Sequence, residues 1–133
     1  YLADWFLGEP DTYSSTFTLA NPLDKNSDNV EDNAVTVMSY KNGAIAVNET
    51  GFVSANDPVV FEIHGEDGYV RMEGDRVVKR TSATGGREVE VAPPAGDPPP
   101  ILQFLTGNIL PGCGMDEAKA LTHMMVMAYG RDK

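Results

Sequence analysis

An α+β fold built around an antiparallel meander is what this chain predicts, and three observations support it. Asp57 to Glu73, DPVVFEIHGEDGYVRME, alternates apolar and polar residues on either side of a glycine-bracketed turn, the pattern of a half-buried hairpin. Asn42-Gly43 lies between two further strand-like runs, and Asn-Gly is a strong short hairpin signal because both residues accept the left-handed backbone of a type I′ turn. The strands follow one another through short turns, with helical segments at the two ends of the chain, which favours antiparallel over parallel pairing.

The first segment, Tyr1 to Leu7, is apolar except for Asp4 and ends abruptly at Gly8-Glu9-Pro10, as the last turns of a helix do. Asp4 is a polar group on an apolar segment, either hydrogen-bonded structurally or part of a site. Thr12 to Leu19, rich in β-branched and aromatic residues, predicts a strand. Asn21 to Asn33 is a long polar loop, of a length that is often functional in small domains. Ala34 to Tyr40 and Ala44 to Val53 form the Asn-Gly hairpin, with Val35 and Val37 facing one way and Thr36, Met38 and Tyr40 the other. In the next hairpin Val59, Phe61 and Ile63 point to one side of the first strand, with Val60, Glu62 and His64 on the other; in the second strand Val70 and Met72 lie on one face and Tyr69 and Arg71 on the other. Arg76 to Arg80 continues the meander, and Arg87 to Val91 ends it with Val89 and Val91 inward. Five prolines between Ala92 and Pro100 break the pattern into an extended crossing, after which Pro99 or Pro100 starts a helix over Ile101 to Ile109. The last helix, Asp116 to Tyr129, takes Asp116 as its N-cap and Gly130 as its stop. It carries two apolar stripes, Ala118/Leu121/Met125/Ala128 and Ala120/Met124/Met127. They leave only a narrow polar strip around Lys119, Thr122 and His123, which implies cover on more than one side.

Length and charge narrow the function classes. A chain of 133 residues makes one domain and buries roughly two thirds of its unfolded surface without disulfide or metal. A net charge of −10 argues against a nucleic-acid backbone or an anionic membrane as partner. The single cysteine, Cys113, forms no internal disulfide, in keeping with a reducing, cytoplasmic compartment. No apolar run approaches the roughly 18 residues of a membrane span. The chain opens at Tyr1 inside an apparent helix, which reads as a piece of a longer protein. No phosphate-cradling glycine loop, metal-ligand cluster or Ser/His/Asp set stands out. His64 and His123 each read first as structural or solvated residues.

The order of these features resembles the C-terminal domain of the glucose-fructose oxidoreductase/inositol dehydrogenase (Gfo/Idh/MocA) family. The resemblance rests on Asn33-Ala34-Val35, then Asn42-Gly43-Ala44-Ile45, then Phe61-Glu62-Ile63-His64-Gly65-Glu66-Asp67-Gly68. Pro99 to Phe104, Asp116 to Tyr129 and the opening YLADWFLG complete it. It implies an open, mainly antiparallel sheet with helices packed on one face, preceded in the parent protein by a Rossmann domain that binds NAD or NADP. It further implies an oxidoreductase acting on a sugar, polyol or related carbonyl compound, this domain supplying substrate contacts and a sheet face for homo-oligomerisation. Family members carry a histidine or tyrosine as proton donor or acceptor while hydride moves to or from nicotinamide, and Tyr1 falls at that position. Tyrosine titrates near pH 10, so it needs a nearby cation to act as a base near neutrality; Tyr1 equally suits a pocket-shaping role. Asp4 and His123 are the candidate substrate-binding residues. A non-catalytic binding or assembly domain, using the sheet for association alone, is the alternative.

Overall fold

Three α-helices, one 3-10 turn and seven strands account for the regular structure of the computed structural model, which describes residues 2–19, 31–52, 59–108, 110 and 114–130. The chain divides into two units, Tyr1–Ser54 with Pro98–Lys133, and Ala55–Asp97.

In the first unit, helix α1 (Leu2–Leu7) leads into strands β1 (Thr12–Thr18), β2 (Asn33–Ser39) and β3 (Ile45–Gly51), which form an antiparallel sheet in that order. The register places Tyr13 opposite Met38 and Met38 opposite Ala46, so these three share a face. Met38, Tyr40 and Met124 form the buried cluster, with Ala3 and Leu7 of α1 and Tyr13, Ala44 and Ala46 of the sheet packed against it. The expected helices on one face of the sheet are therefore present. The predicted two-faced alternation of β2 holds as well: Thr36, Met38 and Tyr40 are buried while Val35 and Val37 are exposed. Thr36 is the buried polar residue of that face and pairs with Ser15, directly opposite on β1, at 3.0 Å.

The β2–β3 connection differs from a two-residue type I′ turn. Tyr40 N–H donates to the Ala44 carbonyl at 3.0 Å and Gly43 N–H to the Tyr40 carbonyl at 2.9 Å, which makes Lys41-Asn42-Gly43 a three-residue loop. Gly43 takes the positive φ of +86°. The Asn42 side-chain oxygen accepts the Ala44 N–H at 3.0 Å, so this asparagine stabilises the loop through its side chain.

Helix α2 (Pro100–Thr106) begins with proline in its first turn, as expected. Gln103, nearly fully buried, clips its two ends: its amide donates to the Pro98 carbonyl at 2.7 Å and its oxygen accepts Leu110 N–H at 3.0 Å. Helix α3 (Met115–Ala128) starts one residue earlier than predicted, with Gly114 and not Asp116 at the N-cap. The Glu117 carboxylate reaches back to accept Gly114 N–H at 2.9 Å, which satisfies an otherwise orphan donor and displaces Asp116 into the first turn. Of its two stripes, Ala120/Met124/Met127 is the covered one, whereas Ala118 and Met125 are exposed.

The second unit is the meander β4 (Val60–Gly65), β5 (Gly68–Glu73), β6 (Arg76–Thr81) and β7 (Val89–Glu90), antiparallel throughout. Phe61 pairs with Met72 and Ile63 with Val70, which brings the predicted apolar faces of the two strands together. A two-residue turn, Glu66-Asp67, joins β4 to β5. Gly68 is obligatory there, since a Cβ at its φ of +147° would sit 1.8 Å from the Arg80 carbonyl oxygen. β7 is shorter than the predicted Arg87–Val91 run, since its ladder with β6 is confined to Val89 opposite Lys79 and Glu90 opposite Val78. The strands are thus shared between two sheets; residue alternation reports which side chains share a face, not which strands share a ladder.

Candidate functional site

A cleft of about 510 Å³ opens in the first unit where the end of α1, the β2–β3 loop and α3 come together. Local sequence places each wall. Gly8 N–H donates to the Asp4 carbonyl at 2.8 Å and ends α1, and buried Pro10 holds the following turn. Asp11 N–H then donates to the Ser39 carbonyl at 2.8 Å, which ties Glu9 and Asp11 beside the end of β2. The three-residue loop presents Lys41 and Asn42 on the same rim. His123 and Met127, one helical turn apart on α3, form the facing wall.

Two contacts between a basic side chain and a carboxylate span the rim. His123 Nε2 lies 3.4 Å from Glu9 Oε1, and Lys41 Nζ lies 3.7 Å from Asp11 Oδ1. Both pairs are largely solvent-exposed and contribute little to stability, about 0–1 kcal/mol each. Tyr13 and Tyr40 also line the cleft, and their hydroxyl oxygens are buried without a hydrogen-bond partner. Burial pushes the Tyr13 phenol above its usual pKa, helped by the negative charges of Glu9 and Asp4. Burial followed by the Asp4 charge does the same for Tyr40. Both phenols are therefore neutral across the physiological range, under a negative potential from the carboxylates around them. The rim supplies carboxylate acceptors, an amide and an imidazole able to donate and accept, and an ammonium donor.

His123 lines this cleft. Asp4 is half-buried on α1 and does not line it, but its charge acts on both cleft phenols. Tyr1, Cys113 and most of the loop 21–33 lie outside the described residues. His64 is exposed, 3.4 Å from Glu62 and tilted against the Tyr69 ring, in keeping with a solvated role. Sequence reasoning missed Glu9, Asp11, Tyr13, Tyr40, Lys41 and Asn42, which read as helix stop, strand and turn residues. The one available signal was an inward-facing tyrosine near the end of each of two strands.

The cleft does not fit the pyrophosphate of a dinucleotide. A pyrophosphate needs backbone N–H groups at a helix start or a guanidinium fork, and the cleft offers two carboxylates against one lysine and one histidine. No group of His, Cys, Asp and Glu able to hold a metal ion occurs among the described residues. Among them, too, no helix is long and apolar enough to cross a membrane.

Comparison with known proteins agrees with this architecture. A biliverdin reductase from a Synechocystis species, solved with biliverdin and NADP+, superposes over 96% of this chain and 42% of its own, with TM-score 0.69 and 13% identity. A levoglucosan dehydrogenase solved with NADH and levoglucosan matches over 96% and 37%, with TM-score 0.58 and 20% identity. An oxidoreductase from Agrobacterium radiobacter, solved with NAD+, L-tartaric acid and magnesium, matches over 68% and 26%, with TM-score 0.55 and 22% identity. At these identities the likeness is one of fold, and the chain spans well under half the length of each of these proteins. No curated protein matches it significantly. The family model of the GFO/IDH/MocA C-terminal domain matches residues 1–71, more than half of the chain, and the chain belongs to that family.

Proposed function

We propose that this chain is the substrate-binding and oligomerisation domain of an NAD(P)-dependent oxidoreductase acting on a sugar, polyol or related carbonyl compound. The observation that carries this reading is the family match over residues 1–71. Fold relatives solved with NAD+, NADH and NADP+ support it. The cofactor would be held by a preceding Rossmann domain, in keeping with a cleft that suits a small polar ligand and not a pyrophosphate. NAD or NADP supplies hydride transfer; this domain orients the substrate. In this reading His123 contacts substrate from the cleft, Asp4 shapes the field behind it, and Tyr1, the residue before Leu2 in sequence, is the proton-transfer or pocket-shaping group. The parent enzyme works in the cytoplasm. The test is turnover. The purified chain with NAD+ or NADP+ and a panel of polyols should show none, while the chain joined to its cofactor domain should. Oxidation of a polyol by the chain alone sinks the proposal.

A second reading has its own observation. The outer face of β1–β3 aligns Ser14, Val37 and Val47 across the three strands, with Val35 and Ile45 beside them. Ile45 and Val47 are 67% and 66% exposed. Such a face suits association between copies, whether in the enzyme or in a purely assembling relative. Light scattering decides: a chain that stays monomeric at high concentration removes the sheet-face interface from both readings.

A further inference from the structure

Asn42-Gly43 is the one Asn-Gly pair in the sequence, and it lies in the loop that joins β2 to β3, with Asn42 on the cleft rim. Asn-Gly is also the dipeptide most open to spontaneous deamidation. The backbone nitrogen of the following residue attacks the asparagine Cγ, and glycine carries no Cβ to obstruct it. A bond between Gly43 N and Asn42 Cγ closes a cyclic imide as the Cγ–Nδ2 bond breaks, and the Gly43 amide proton leaves with Nδ2 as ammonia. Water then opens the imide at either carbonyl, giving aspartate or isoaspartate, with nothing oxidised or reduced.

Asn42 and Gly43 are both exposed, so water reaches them. The folded loop nevertheless occupies both reacting groups. Gly43 N–H, whose proton has to leave for the nitrogen to attack, donates to the Tyr40 carbonyl at 2.9 Å. The Asn42 side-chain oxygen accepts Ala44 N–H at 3.0 Å, which fixes the carboxamide against the nitrogen two residues on. Tyr40 N–H, donated to the Ala44 carbonyl at 3.0 Å, closes the loop around both.

We propose that Asn42 is a spontaneous modification site whose rate is set by opening of the β2–β3 loop. The closed loop holds imide formation back, and each opening permits it. The consequence falls on the cleft. Aspartate replaces a rim amide beside Lys41 with a carboxylate and still offers an acceptor to Ala44 N–H. Isoaspartate routes the main chain through its own Cβ, which lengthens a three-residue loop and removes the Tyr40–Ala44 closure.

The test compares the 133-residue chain with a synthetic peptide of the sequence Met38–Val47 in one mildly alkaline buffer, with peptide mapping for aspartate and isoaspartate at position 42. The loop's hydrogen bonds should slow the folded chain about tenfold or more relative to the peptide. Amide hydrogen exchange reads the same gate independently: Gly43 and Ala44 should be protected to a similar extent, and urea below the unfolding transition should raise exchange and deamidation together. Equal rates in chain and peptide overturn the gate, as do Gly43 and Ala44 amides that exchange at the unprotected rate. A chain that stays unmodified at Asn42 in urea that opens the loop, while the peptide converts, overturns the site. In Asn42→Gln, whose longer side chain closes an imide far more slowly, the isoaspartate signal should vanish from the tryptic peptide that follows Lys41. An undiminished signal there belongs to Asn48 or Asn56 and also overturns the site.

Discussion

Replacing Tyr40 by phenylalanine should make the protein more stable, an unusual direction for a change at a core position. Tyr40 is only 6% exposed and packs in the Met38–Met124 cluster. Its hydroxyl oxygen is buried and finds no hydrogen-bond partner. A buried polar group left unpaired costs about 1–3 kcal/mol, and phenylalanine removes that cost while keeping the ring. The expected gain is about 1–2 kcal/mol. With a urea slope of about 1–3 kcal/mol per molar, the unfolding midpoint should rise by roughly 0.5–1 M. The pH dependence gives an independent arm. Both cleft phenols titrate above their unfolded value, so folding favours the protonated form. Their contribution is complete below about pH 10 and is lost as the pH rises through the raised folded values. The Tyr13→Phe/Tyr40→Phe variant should lose less stability than the parent above pH 10. A midpoint that falls by 0.5 M or more in Tyr40→Phe would mean the hydroxyl has a partner, and the description of the cleft floor would be wrong.

Other outcomes follow from the packing. Gly68→Ala forces a Cβ against the Arg80 carbonyl at a strained φ. It should cost about 3 kcal/mol or more and collapse the amide dispersion of β4–β6. Met124→Ala should cost about 2–5 kcal/mol and Met125→Ala under about 0.5, since only the first is buried; equal losses in thermal melts would contradict the orientation of α3. The proposed association through the outer face of β1–β3 predicts that Val37→Lys/Val47→Lys leaves circular dichroism unchanged and shifts sedimentation toward monomer. An unaltered oligomer would place the interface elsewhere.

Much of the meander was legible because strand alternation is a local property. Val35 and Val37 against Thr36, Met38 and Tyr40 follow from the two-residue period alone. What stayed hidden depends on partners distant in sequence. The two apolar stripes of α3 are equivalent until the sheet covers Met124 and leaves Met125 in solvent. Asp116 looked like the N-cap because its side chain suits that role, yet Glu117 reaching back to Gly114 decided the start. In the cleft, His123 stood out as polar on a mostly apolar helix. Tyr13 and Tyr40 did not, because tyrosine at a strand position is explained by β propensity. Glu9 and Asp11 acquire meaning only when Asp11 bonds to Ser39 and brings them to the hairpin end.

The central claim is that this domain works as the substrate half of a two-part NAD(P)-dependent enzyme. Reading the source gene upstream of the Tyr1 codon tests it most directly. A strand leading into G-x-G-x-x-G and a helix, with a lysine between that motif and Tyr1, is the predicted result. A start codon close to Tyr1, or an unrelated upstream domain, would contradict the claim and leave the sheet face as a surface for assembly.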